Sequence, residues 1–279
     1  MIAYFQRILP KIYGLYFNII ALFSKEKVAE KAFRLFCSPR KGRVLPIQEA
    51  FLNEAKFERV EVEDMQIQTY HWEGKGRRVL LLHGWESNTY RWRNMIGFLK
   101  KEDFDILAFD APAHGWSTGE LFHVIKYSAC TKTMVDRYKP DYIIGHSVGG
   151  MTAVYHQYLW PKNSLSKIVT IGSPSEMKDV MDQYQSILNF KDSVMRALNQ
   201  LIVERFGFGI NDFSTSVFAK ELNIDGLLIH DKYDTIAPYR ASEKVHQNWK
   251  GSQLISTEGL GHSMHQDFVS QNIIDFLKS

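Results

Sequence analysis

Cysteine is scarce in this chain. Cys37 and Cys130 are the only two in 279 residues, and neither belongs to a C-x-x-C pair or a Cys/His cluster. That spacing suggests neither a disulfide framework nor a zinc site, and a reducing, cytoplasmic setting is the expectation. Long apolar runs are missing as well. The longest charge-free stretch near the start, Ile12 to Ser24, has 13 residues, short of the roughly 18–20 that cross a bilayer as a helix. No small-x-small cleavage site follows Ala21-Leu22-Phe23-Ser24-Lys25, so a secretory signal is not expected either. Repeats and low-complexity tracts are absent, and 34 basic against 31 acidic residues leave only +3. Without a helix-turn-helix, RNA-binding or zinc-finger pattern, that balance gives no footing for a nucleic-acid partner. What is plentiful is core material: 45% hydrophobic residues, with 18 Phe, 13 Tyr and 6 Trp. A globular chain of one large or two small domains follows.

The small net charge hides an uneven distribution. Residues 1–43 carry nine Lys/Arg against two acids, or +7, so the remainder sums to −4. Ile8, Leu9, Ile12, Tyr13, Leu15, Tyr16, Ile19, Ile20, Leu22 and Phe23 fall in the same basic segment. The favoured reading is an N-terminal helical arm packed on the body; the other is a peripheral contact with an anionic membrane surface.

Beyond Pro46 the pattern changes. Val60 to Trp72 alternates in part and reads as one half-buried strand, ended by Glu73-Gly74-Lys75-Gly76. Short continuous apolar runs then recur at 79–82, 106–109, 142–144, 168–171 and 227–229, as suits strands buried on both faces of a parallel sheet. Helical patterns lie between them at Trp92 to Lys101, Val124 to Tyr138 and Val148 to Leu159. The alternation predicts an α/β fold with crossover helices on both faces. One stretch interrupts it: from Met177 a helical apolar stripe containing Met181 and Met195 runs to the stop at Phe206-Gly207. It reads either as core packing or as a lid over an apolar substrate pocket.

The sharpest local signal is Gly145-His146-Ser147-Val148-Gly149, preceded by a strand and followed by a helix. This is G-x-S-x-G in the setting of a nucleophile elbow, where small residues let strand and helix backbones approach. A serine hydroxyl needs a base, and the base an orienting acid. Asp231 and Asp234 both lie on the loop after the 227–229 strand, with Asp234 preferred. His262, on a Gly-rich loop after the last strand, is the preferred base over His265, and His146 is expected to point away from Ser147. His83-Gly84-Trp85 follows a strand and can offer the Trp85 amide to a developing oxyanion, with the Val148 amide as second donor. Asp110 to Ser117 reads as a structural turn.

These motifs together resemble the α/β-hydrolase superfamily, in its esterase/lipase-like branch with a helical cap; they are spread over about residues 60 to 279. The resemblance implies a mostly parallel eight-stranded sheet flanked by helices, a Ser147/Asp234/His262 triad, an oxyanion hole at Trp85 and Val148, and no cofactor. Asp231 stands where the family often has glycine, which keeps the choice of acid open. The expected organisation is a basic amphipathic N-terminal helical segment over 1–59, outside the family's core and given no role by the resemblance, a hydrolase core over 60–174 and 225–279, and a helical cap over 175–224. A small-molecule carboxylic ester is the expected substrate. A thioesterase, a peptidase, a carbon-carbon-bond hydrolase and a non-catalytic binding protein remain as alternatives. A dehalogenase or epoxide hydrolase is disfavoured, since those place a carboxylate at the elbow.

Overall fold

The computed structural model describes residues 2–279, with side chains from residue 8 onward. Eight strands form one sheet: β1 (Lys56–Val62), β2 (Met65–Trp72), β3 (Arg78–Leu82), β4 (Asp105–Phe109), β5 (Tyr142–His146), β6 (Lys167–Ile171), β7 (Asp225–Asp231) and β8 (Ser252–Thr257). The helices are α1 (Ile2–Ile20), α2 (Lys25–Cys37), α3 (Pro46–Leu52), α4 (Arg93–Lys101), α5 (Val124–Tyr138), α6 (Val148–Leu159), α7 (Met177–Leu188), α8 (Asp192–Phe206), α9 (Thr215–Phe218), α10 (Arg240–Asn248) and α11 (Asp267–Lys278). The strand order is β1-β2-β4-β3-β5-β6-β7-β8. Pairing is antiparallel at β1/β2 and β2/β4 and parallel from β4 to β8. This is the mostly parallel, helix-flanked α/β sheet that the alternating pattern predicts.

The chain divides into two compact units. The larger, Pro39–Ser175 with Thr215–Ser279, contains the sheet. Period-two alternation sends successive strand residues to opposite faces. Val79, Leu81, Ile106, Ala108, Leu227 and Ile229 pack under α3, α4 and α11, while Leu80, Leu82, Leu107, Phe109 and Leu228 pack under α5, α6 and α10. Both faces are therefore apolar, which is why these strands read as unbroken hydrophobic runs.

The other unit comprises the residues up to Ser38 together with Glu176–Ser214. The N-terminal helices and the helices inserted between β6 and β7 thus belong to one helical body. Its interior is aromatic: Phe17 lies 6.4 Å from Phe190 and Phe36 lies 5.1 Å from Tyr184, ring to ring. Tyr184 Oη donates to the Ala32 carbonyl at 3.0 Å. Ser24 caps α2 by accepting from Lys27 N at 3.2 Å. Leu9, Ile12, Leu15, Tyr16, Ile19, Leu22 and Phe23 remain exposed along and just beyond α1. Among the described residues no helix is long and apolar enough to cross a membrane.

Two local readings differ from the structure. The single strand expected over 60–72 is a hairpin, turned at Glu63-Asp64 with Glu63 at φ 53. No glycine marks that left-handed position, so the alternation in the sequence runs through it without a visible break. The stripe from Met177 is likewise two helices, parted at Asn189, whose φ of 60 ends α7; asparagine tolerates that conformation without being an obvious stop signal.

Candidate active site

Parallel strands deliver their following loops to one edge of the sheet, where α/β proteins build sites. Ser147 stands between β5 and α6 at φ 55 and ψ −124, a sparsely populated conformation that a non-glycine residue keeps only when its surroundings hold it there. The constraint is visible at Gly149, where an added Cβ would lie 2.1 Å from the Leu82 carbonyl oxygen. The helix therefore runs hard against β3, and the serine side chain is lifted off the end of its own strand.

The loop after β3 closes on the same point. A Cβ at Gly84 would lie 2.9 Å from Ser147 Cβ. His83, fully buried, fixes this loop: its Nδ1–H donates to the Gly84 carbonyl at 2.8 Å, and its Nε2 accepts the Ala111 amide at 2.9 Å. Burial lowers its pKa to about 4, so the ring is neutral and keeps that one tautomer. His114 acts similarly one residue further on, accepting the Glu86 amide at 3.0 Å and donating to the Pro112 carbonyl at 2.9 Å. Neither the Trp85 amide nor the Val148 amide has an acceptor among the described residues. The Val148 amide also opens α6, where the helix dipole favours negative charge. The Asp110 to Ser117 segment is a structural turn: Asp110, fully buried, accepts from Tyr70 Oη at 2.7 Å, Thr89 N at 2.9 Å and Trp116 N at 3.0 Å.

The two aspartates after β7 have different partners. Asp234 Oδ2 accepts His262 Nδ1–H at 2.7 Å, and its Oδ1 accepts the Ile236 and Ala237 amides at 2.8 and 3.0 Å. Burial opposes ionisation of Asp234, but hydrogen bonds from His230, His262 and Ile236 outweigh it and hold the carboxyl well below the usual range. Asp231 instead accepts Tyr233 N at 3.0 Å, Thr257 Oγ1 at 2.9 Å and Leu260 N at 2.8 Å. It ties the loops after β7 and β8 together and makes no hydrogen bond to the imidazole.

Ser147 and His262 line one cavity of about 860 Å³, with Trp85 and Ile236 on its wall. Among the described residues Ser147 Oγ makes no hydrogen bond to the His262 ring; such bonds often tighten only when substrate is bound. His265 also lines the cavity, and it is not among the hydrogen-bond partners of Asp234. His146 Nε2–H donates to the backbone carbonyl of His262 at 2.9 Å, so its ring is directed to the histidine loop. Among the described residues no group of three or more His, Cys, Asp or Glu is arranged to hold a metal ion.

Sequence patterns did not single out Arg91 and Arg93, which line the same cavity. Nor did they separate Arg40, Lys41 and Arg43 from the basic N-terminal arm. The structure sets these three in the cavity wall instead, and no periodicity in the sequence distinguishes the two locations.

A family model for the alpha/beta hydrolase fold matches residues 77–198. A serine hydrolase-like protein of Danio rerio is 32% identical over 123 residues, covering 41% of this chain and 37% of its own. A soluble epoxide hydrolase of Corynebacterium is 28% identical over 156 residues, 54% of this chain and 50% of its own. A pimeloyl-[acyl-carrier protein] methyl ester esterase of Vibrio atlanticus is 26% identical over 146 residues, 52% of this chain and 54% of its own. These matches span between about a third and a little over half of the relatives' lengths. Among solved structures, an esterase of Exiguobacterium antarcticum superposes with TM-score 0.64 at 18% identity, over 80% of this chain and 100% of its own. The mouse alpha/beta hydrolase domain-containing protein 10 superposes with TM-score 0.62 at 16% identity, over 80% and 99%. At such identities the likeness is one of fold.

Proposed function

We propose that this chain, a member of the α/β-hydrolase superfamily, is a serine hydrolase that cleaves carboxylic esters through an acyl-enzyme. The observation that carries the reading is the strained Ser147 at the head of α6, lining the same cavity as a histidine whose far nitrogen is held by Asp234. In this mechanism His262 takes the Ser147 proton as Oγ attacks the ester carbonyl. Asp234 keeps the imidazole in the tautomer that accepts it and stabilises the imidazolium that forms. The Trp85 and Val148 amides receive the oxyanion, a contribution usually worth about 100- to 1000-fold per donor. His262 then protonates the leaving group, and water repeats the sequence on the acyl-enzyme.

A hydroxyl rather than a carboxylate at the elbow favours this chemistry over epoxide opening, despite the similarity to an epoxide hydrolase. Thioesters share the same acyl chemistry. The test is labelling with a fluorophosphonate: the expected result is a covalent adduct on the wild type and none on Ser147→Ala. A wild type that resists the probe and leaves a panel of p-nitrophenyl esters untouched overturns the reading.

The same reading extends to the N-terminal segment as a peripheral contact with anionic lipid. Its support is the exposed apolar side of α1 and of the turn after it, where Phe23 has 85% of its surface open, and the exposed Lys11, Lys25, Lys27, Lys31 and Arg34 on α1 and α2. Apolar burial and attraction to anionic headgroups would act together there.

A further inference from the structure

Five fixed cations, Arg40, Lys41, Arg43, Arg91 and Arg93, line the cavity that contains Ser147, against one acid, Glu86. Glu86 is already engaged, since its Oε1 accepts the Arg40 amide at 2.9 Å. None of the five cations is ion-paired with a carboxylate among the described residues.

Arg91 is the telling member. Its Nη2 donates to the Ser263 carbonyl at 2.9 Å, its guanidinium lies 5.0 Å over the Trp92 ring, and its Nε is sealed from solvent with no partner. Ser263 is the residue after His262, so this anchored cation sits against the loop that bears the base. Burial, with the like charge of Arg93 added, pushes the Arg91 pKa down to about 9. A partly desolvated charge without a counter-charge is costly to hold. A site spared that cost by its ligand turns the same charge into affinity. Guanidinium matches the planar, bidentate geometry of carboxylate and phosphate. The remaining four cations, of which Arg43 donates to the Gly115 and Ser117 carbonyls, add positive charge around the cavity and draw anions inward.

We infer that the substrate carries an oxyanion, a carboxylate or a phosphate, in addition to its ester, and that Arg91 binds it. The inference rests on the reading of Ser147 as nucleophile. Binding energy from a group remote from the scissile bond can be spent on positioning that bond, so the charge should show in kcat/KM.

The experiment compares charged and neutral esters of matched size. In one arm p-nitrophenyl hydrogen glutarate is set against p-nitrophenyl valerate; in the other, 4-acetoxyphenyl phosphate against p-tolyl acetate. The expected result is a charged-to-neutral ratio of kcat/KM of about ten or more in at least one arm, falling to near one in Arg91→Met and shrinking as salt is raised. The arm that shows it tells carboxylate from phosphate and the acyl side from the leaving-group side. Ratios near or below one in both arms, or a preference that survives Arg91→Met, overturn the inference while Ser147-dependent turnover of the neutral esters leaves the serine reading standing. If no ester is turned over, the fluorophosphonate label decides whether the serine reading stands. The anion site is then read by melting temperature with added glutarate or phenyl phosphate. A rise in the wild type that is absent in Arg91→Met upholds it, and no rise with either probe ends it.

Discussion

The backbone carbonyl of His262 is held by the side chain of His146, Nε2 to O at 2.9 Å, so the residue preceding the elbow serine braces the loop that carries the base. Burial, with Arg91 nearby, keeps the His146 imidazole well below its ordinary pKa and therefore neutral. The two rings lie 4.8 Å apart, centroid to centroid. His146→Ala should let His262 drift by a fraction of an ångström. Because reacting groups tolerate little misplacement, kcat should fall on the order of a hundred-fold, with KM near the wild-type value and circular dichroism unchanged. A fall in thermal stability without loss of kcat would assign His146 a packing role only.

The contrast between Asp234 and Asp231 yields a paired test. Asp234→Asn cannot orient His262 as an acceptor, and turnover should drop on the order of 10⁴-fold with little loss of stability. Asp231→Asn weakens the tie to Thr257 and Leu260, so its expected signature is a lower melting temperature and a much smaller kinetic effect. Ser147→Ala should remove on the order of 10⁶ in turnover. Steady-state kinetics beside thermal melts on the three variants separates these outcomes.

Acid should destabilise the fold well above the carboxylate range. Burial lowers His83 to about 4 and His114 to about 3, while both sit near 6.5 in an unfolded chain. Stability from keeping them neutral is complete above pH 6.5 and is lost as the pH falls toward 4, because the unfolded chain binds protons that the folded chain refuses. Each contributes up to about 1.4 kcal/mol per pH unit in that window. Urea denaturation at pH 7.5, 6 and 5 should give steadily smaller unfolding free energies; a flat profile contradicts the assignment.

Gly149 has no room for a side chain, with the Leu82 carbonyl 2.1 Å from where Cβ would stand. Gly149→Ala must push α6 away from β3 and should cost about 1–3 kcal/mol, measured as a lower urea midpoint. Esterase activity should fall further than stability alone accounts for, since the same shift moves Ser147 and the Val148 amide.

The exposed side of α1 is tested by sedimentation with phosphatidylserine-rich vesicles. The wild type should pellet with them and Ile12→Glu/Ile19→Glu should not, while neutral vesicles bind neither well. Equal recovery in the supernatant for all samples removes the membrane proposal.

Local pattern was enough for whatever depends on near neighbours in the chain. The five buried runs, the crossover helices and the elbow at 145–149 could be read because a strand buried on both faces must be apolar throughout and a tight strand-to-helix turn must have small residues around Ser147. The hairpin at Glu63 and the helix break at Asn189 escaped because left-handed backbone there is carried by residues other than glycine. Longer-range questions were closed to periodicity. Which aspartate meets His262, whether Arg43 belongs with the basic arm or with the cavity wall, and whether 176–214 packs with the N-terminal helices all depend on side chains that meet across many residues of chain. Such meetings are set by how the sheet twists and where its loops converge, and no repeat of two or of 3.6 residues records them.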